Sequence, residues 1–379
     1  MARETMTSKE RVEAALRLEK PDRVPIVPAL MVAAASHLAG VSRAQVCADV
    51  NVAIDALLKV FDDFGGWDAI WQPVPDVPHL FQLILPMKIK VPGIDLPDNY
   101  VMQILEEEVL KPEDYDKIAE MGWFKFHTED CIFRVCDTTP EDVTKWAIEA
   151  FAAMSRVTAE VEKRGVSLLL GSAAMHPFFT LSLGRSMVKF TEDLYYSPEK
   201  LERALKRLTA EFIQSTITAC KVSGTKVGNC TEERASAFYY PLWVFERFWW
   251  PYTMEIVDAM WSEGLVTLFH MDTPWDKNIP YFKKLPRGSY ILELDSTTDI
   301  FAAKEVVRGH GIIHGDVPAA LYSLGKPEDM EAYVKKLIDE VGGDGGYILG
   351  DGCSTAADAK PENFRAMLET AKNYEFSKK

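Results

Sequence analysis

The second half of the chain repeats one unit. A short run rich in Val, Ile, Leu and Tyr is followed by a polar or Gly turn and then by a helical pattern. Val166 to Leu170 begins the series, and Lys226 to Asn229, Leu265 to Phe269, Tyr290 to Leu294, Gly311 to His314 and Tyr347 to Leu349 continue it. Pro25 to Val27 and Ala69 to Gln72 supply two earlier runs. Eight strands with intervening helices predict a closed parallel (β/α)8 barrel (a TIM barrel) rather than an open sheet, because closure leaves no unpaired edge. The 379 residues suit one such barrel with an N-terminal extension packed on its outside, since barrels of this kind run from ~250 to over 400 residues. The predicted organisation is a single domain over 1–379.

Helix openings support this reading. Thr139-Pro140-Glu141-Asp142 and Ser197-Pro198-Glu199 place an N-cap residue before Pro, with acids in the first turn. The missing proline N–H costs nothing there, and the helix dipole favours negative charge. The helices they open are expected to end near Gly165 and at Gly224. Lys326-Pro327-Glu328-Asp329 and Lys360-Pro361-Glu362-Asn363 repeat the Pro-acid opening. The stretch from Val74 to Cys136 breaks the alternation and holds Pro78, Pro86, Pro92 and Pro97 with many aromatics. It reads as an insertion (74–136) over the barrel mouth; an insertion serving only as scaffold is the alternative.

Composition excludes several classes. With 57 acidic against 42 basic residues the net charge is −15, which argues against nucleic acid or an anionic membrane as partner. No apolar run reaches the ~18 residues needed to span a bilayer. Met1 to Lys20 is charged and helix-like, without a signal-peptide core. The expected location is therefore cytoplasmic. Cys47, Cys131, Cys136, Cys220, Cys230 and Cys353 are scattered, so free thiols with one metal ligand are expected rather than disulfides.

Active sites of such barrels form at the C-terminal ends of the strands. Five consecutive ends carry Cys230-Thr231-Glu232-Glu233, His270-Met271-Asp272, Glu293-Leu294-Asp295, His314-Gly315-Asp316 and Asp351-Gly352-Cys353. His, Cys and carboxylate are zinc ligands, and a catalytic zinc usually keeps three protein ligands and one open position. His270, Cys353 and Glu232 are the predicted metal ligands and catalytic residues, with Glu233, Asp272 and His314 as alternates; each alone also suits a hydrogen-bonded structural role. His176 and His310 are assigned structural roles. In the block Phe238 to Tyr252, Phe245, Phe248 and Trp249 read as core. Phe238, Tyr239 and Tyr240, with Asp295, are predicted to line a pocket for a flat ligand, packing being the alternative for the aromatics.

Ser8-Lys9-Glu10-Arg11-Val12-Glu13-Ala14-Ala15-Leu16, followed by Lys20-Pro21-Asp22-Arg23-Val24-Pro25, resembles the start of uroporphyrinogen decarboxylase-like proteins. Phe245 to Tyr252, then a strand ending in His, and the stretch from Gly315-Asp316-Val317 to Pro361-Glu362-Asn363 are similar to that superfamily too. The resemblance covers nearly the whole chain. The decarboxylase's Met-Arg-Gln-Ala-Gly-Arg segment, which grips substrate carboxylates, does not follow Val24. Gly350-Asp351-Gly352-Cys353 stands in place of the family's Gly-His-Gly. A cysteine there resembles the zinc methyltransferase branch, which works with corrinoid proteins and includes the methyltransferase I components of O-demethylases. That branch pairs a His-x-Cys with the later Cys; here His270-Met271-Asp272 puts a carboxylate where the first thiol is expected.

Loss of one soft thiolate leaves a harder zinc, suited to polarising an oxygen rather than activating a thiol. The resemblance and this substitution together imply O-demethylation. A methyl group would pass from a small methoxylated aromatic donor to cobalamin, presented by a separate, transiently bound corrinoid protein. A methylcobalamin:thiol (coenzyme M-like) methyltransferase, a uroporphyrinogen decarboxylase-like decarboxylase and a non-catalytic barrel are the alternatives. A homodimer remains open.

Overall fold

In a computed structural model, residues 4–376 are described. Nine strands occur there: β1 (Ala69–Ile70), β2 (Lys88–Lys90), β3 (Gln103–Leu105), β4 (Ser167–Leu168), β5 (Val227–Glu232), β6 (Val266–Met271), β7 (Tyr290–Leu294), β8 (Ile312–Val317) and β9 (Tyr347–Asp351). β5 to β9 form a parallel sheet in sequence order. The ring closes through short pieces. Val27 N donates to Leu349 O at 2.8 Å, Asp68 N to Ile26 O at 2.9 Å, Leu169 N to Ile70 O at 2.8 Å and Gly171 N to Val227 O at 2.8 Å. Segment 25–27 is thus the eighth stave. Pro25 opens it and Pro28 follows it, and neither has an N–H donor, which keeps its ladder short.

The outer ring includes helices Val50–Asp63, Pro140–Lys163, Pro198–Ser223, Trp250–Ser262, Ile300–Val307, Pro327–Glu340 and Pro361–Asn373. Thr139 caps its helix by accepting from Asp142 N at 3.2 Å, whereas Ser197 makes no side-chain cap. One crossover differs from the regular alternation: β6 and β7 are joined by the 3-10 turn Ile279–Lys284. Pro280 enters this short segment and Pro286 follows it, leaving no run long enough for an α-helix.

Alternate residues of the staves point inward. Val27, Ala69, Leu169, Val227, Val266, Leu268, Ile291, Ile312 and Ile348 form one apolar cluster. Val12 and Ala15 of helix Ser8–Leu16 join it, so the N-terminal segment closes the barrel floor rather than lying along its outside. Beneath the floor, Asp68 is fully buried and receives Arg11 Nη1 and Arg23 Nη1, both at 2.7 Å. It also accepts from Ile26 N at 2.8 Å. Segment 74–136 folds as short helices and the antiparallel β2–β3 hairpin, and its apolar side chains line a cavity at the strands' C-terminal ends. Among the described residues no helix is long and apolar enough to cross a membrane.

The floor network makes a stability prediction. Asp68→Ala leaves two buried guanidiniums short of a partner and should cost about 3–5 kcal/mol, read as a lower urea midpoint. An unchanged midpoint would contradict it.

Candidate metal centre

The cavity has a volume of about 530 Å³. Trp71, Asn229, Thr231, Glu233, His270 and Cys353 contribute its polar wall, and Leu80, Phe81, Ile84, Leu85, Met87 and Ile104 its apolar one. Strand register sets the polar part. Thr231 pairs with His270, His270 with Glu293, and Glu293 with His314, so all four occupy one row, in phase with the inward-facing apolar residues below.

Glu293 is the hub of that row. Its Oε1 accepts from Trp71 Nε1 at 2.7 Å and lies 2.6 Å from His314 Nδ1. Its Oε2 meets His270 Nδ1 at 2.6 Å. His314 Nε2 donates to Val27 O at 2.8 Å, which fixes that ring. Burial alone would raise the Glu293 pKa, but the neighbouring His314 and His270 rings pull it down to about 2. Burial opposes charge on His270, yet the Glu293 carboxylate and Cys353 raise its pKa well above the usual imidazole value.

With Nδ1 held by Glu293, His270 turns Nε2 towards Asp272, whose Oδ1 lies 3.7 Å away. Cys353 Sγ is 3.4 Å from Asp272 Oδ2. One ligand atom from each of His270, Asp272 and Cys353 lies within 4.8 Å of the others. Cys353 adopts φ +70°, a left-handed conformation uncommon for a residue other than Gly, as the chain turns after β9. Asp272 Oδ1 is buried and has no hydrogen-bond partner among the described residues. That orphaned oxygen, an imidazole nitrogen and a thiol in one cluster fit a zinc ion. Glu233 stands nearby, its pKa pushed up to about 7 by burial and by the Asp272 charge.

Several sequence expectations are corrected. Glu232 does not reach the cluster. It follows Cys230 on the outward face of β5, is fully buried, and accepts from Arg234 N at 2.7 Å, Ala235 N at 3.1 Å and Trp249 Nε1 at 2.8 Å. Burial pushes its pKa up to about 8. Strand alternation sends Glu232 to the helix layer and leaves Asp272, an alternate, in the cluster. His314 supports Glu293 instead of joining the three clustered ligand atoms. Phe238 and Tyr239 are exposed and stack edge-on 4.9 Å apart, while Tyr240 is buried with its hydroxyl 2.9 Å from Thr191 Oγ1. None of the three lines the cavity. Asp295 is occupied in a turn, accepting from Thr273 N at 2.7 Å and Thr297 N at 2.9 Å. His176 is structural as expected: Nδ1 accepts from Phe178 N at 3.1 Å, and burial pushes its pKa down to about 3. Glu293 stands among the candidate strand ends but without a role, and Trp71 without either; an acid at an inward position of the apolar run Tyr290 to Leu294 is the available signal.

The uroporphyrinogen decarboxylase (URO-D) family model matches residues 136–374. The chain belongs to the uroporphyrinogen decarboxylase family. Within it, the chain is 30% identical over 132 residues to the methylcobamide:CoM methyltransferase MtbA of Methanosarcina mazei, covering 35% of this chain and 37% of that protein. The MtbA of Methanosarcina acetivorans gives the same identity and coverage. A uroporphyrinogen decarboxylase from Methylococcus capsulatus is 36% identical over 91 residues, 24% of this chain and 25% of that protein. The chain thus spans from a quarter to little more than a third of the length of the curated relatives it matches. Among solved structures, a methyltransferase from Methanosarcina mazei superposes with TM-score 0.71 at 17% identity, covering 97% of this chain and 98% of that one. This family member therefore shares that barrel fold.

Because Glu232 caps a turn, Glu232→Ala should behave as a stability variant. It strands Trp249 Nε1 and two backbone N–H groups, at a cost of about 1–3 kcal/mol in urea denaturation. Unaltered stability would contradict this assignment.

Proposed function

We propose that this protein is a cytoplasmic zinc-dependent methyltransferase. It takes a methyl group from a small methoxylated aromatic molecule and passes it to the cobalt of a corrinoid protein docked at the barrel mouth. The observation that carries this reading is Asp272. Its buried Oδ1, without a hydrogen bond among the described residues, stands beside His270 and Cys353, where the zinc methyltransferase branch would carry a second thiol. One thiolate with an imidazole and a carboxylate makes a harder donor set than two thiolates, which favours an oxygen leaving group over a thiol nucleophile. The proposed ligands are therefore His270, Asp272 and Cys353, with Glu233 beside them. Zinc bound there would supply a Lewis acid at the cavity floor.

The chain's own residues do the rest. Glu293 holds the His270 Nδ1 proton and so presents Nε2 to the site, and Trp71 and His314 hold Glu293 in turn. Phe81, Ile84, Leu85, Met87 and Ile104 offer an apolar wall for a flat ring and exclude water from the reacting end. Packed side chains fill the barrel below. The substrate methyl group therefore faces the mouth, the one side from which cobalt can approach in line with the departing oxygen. The partner must leave again to deliver the methyl group, so its interface should be modest.

A thiol-directed reading is favoured by one observation, the likeness to the two Methanosarcina methylcobamide:CoM methyltransferases. Mixing zinc-loaded protein, reduced corrinoid protein and a panel of methoxylated aromatics separates the two. Methyl-cobalt should form. No methyl-cobalt from any donor, with methyl-cobalt instead consumed by thiols, would replace this reading with the second.

Metal content offers an independent check. Cys353→Ala should abolish stoichiometric zinc, and Glu293→Gln should weaken zinc affinity by ~10–100-fold through loss of imidazole orientation. Full zinc occupancy in both variants would contradict the ligand assignment.

A further inference from the structure

One polar group in the cavity is not used by the metal centre. Asn229 is 5% exposed and lines the same cavity as His270 and Cys353. Its Nδ2 donates to Thr231 Oγ1 at 3.1 Å, and its backbone N donates to Ser172 Oγ at 3.1 Å. Its Oδ1 is buried and has no hydrogen-bond partner among the described residues. Across the sheet its row continues through Leu268, Ile291 and Ile312, all apolar. A leucine would fill the same volume and match the apolar row, so packing does not account for an amide here.

We propose that Asn229 is a specificity-determining residue, its Oδ1 accepting a hydrogen bond from a hydroxyl on the aromatic ring that also bears the methyl ether. The proposal rests on the methyl-transfer reading of the cavity and names the kind of donor molecule it takes. Thr231, two residues on, shares the register row of His270. Two residues along a strand span about 6.6 Å, roughly the length of one substituted benzene ring. A single ring can therefore offer its ether to the His270 end and its hydroxyl to Asn229.

Charge in the cavity agrees. The Glu233 and Asp76 side chains line it as acceptors. Of its two arginines, Arg234 is engaged by Glu106 at 2.7 Å and by Ser182 O at 3.2 Å. Arg43 donates to the carbonyls of Asn99 and Ala357. A neutral ring with a hydroxyl donor suits such walls better than a ring carboxylate or a pure acceptor.

The test uses zinc-loaded protein and three probes of one shape: 4-methoxyphenol, 1,4-dimethoxybenzene and 4-methoxybenzaldehyde. Dissociation constants are measured by titration calorimetry. The phenol should bind ~10-fold more tightly than either acceptor-only probe. Asn229→Leu should erase that preference, with circular dichroism reporting whether the variant is folded. The wild-type contrast stands even if the variant does not fold. Equal affinities in the wild type, a preference that survives in folded Asn229→Leu, or no binding of any probe would each overturn the assignment. The parent reading fails separately: a phenol preference without methyl-cobalt formation removes the demethylation and leaves the Asn229 contact. Methyl-cobalt formation from all three probes at equal affinity does the reverse.

Discussion

A buried carboxylate must be paired or give up its charge, and Glu293 is where this barrel pairs one. At 1% exposure it has no water to turn to. Trp71, His270 and His314 supply the partners, from β6, β8 and the end of β1. The same contacts that satisfy the charge orient the two imidazoles. His270 then has one nitrogen committed to Glu293 and one facing Asp272 and Cys353. Packing and the orientation of a candidate metal ligand share this group, so removing it should disturb both.

The two ends of the barrel divide the remaining work. Below, Asp68 gathers Arg11 and Arg23 and pins helix Ser8–Leu16 across the floor. Above, the interior turns from Leu268, Ile291 and Ile312 to Asn229, Thr231, His270 and Glu293 within one or two residues along each strand. That sharp change from apolar to polar marks where packing ends and the site begins, in keeping with the general polarity of such barrels.

Much of the fold was legible because parallel strands buried on both faces read as apolar runs. Tyr290–Leu294 was located at its observed bounds, and Ala69–Ile70 and Ser167–Leu168 fall inside the runs assigned to them. The floor helix was harder: its pattern shows an apolar face but not whether that face meets the barrel's side or its end. The candidate site was half legible. His270 and Cys353 lie at strand ends, and the rim rule finds them. Glu232 was misassigned because neighbouring acids at 232 and 233 differ only in which side of the strand they leave. A one-residue difference in phase sends one to Trp249 and the other to the cavity. Glu293 and Asn229 were harder still, since their surroundings are set across strands, in register rows that no single segment displays.

The most direct test of the central claim is the zinc K-edge absorption spectrum of the metal-loaded protein. One sulfur at ~2.3 Å together with nitrogen and oxygen scatterers at ~2.0–2.2 Å is the predicted shell. The zinc signal itself should be lost in Cys353→Ala, and the sulfur should persist in Glu232→Ala. A shell with two or more sulfurs, or with none in the unmodified protein, would contradict the account.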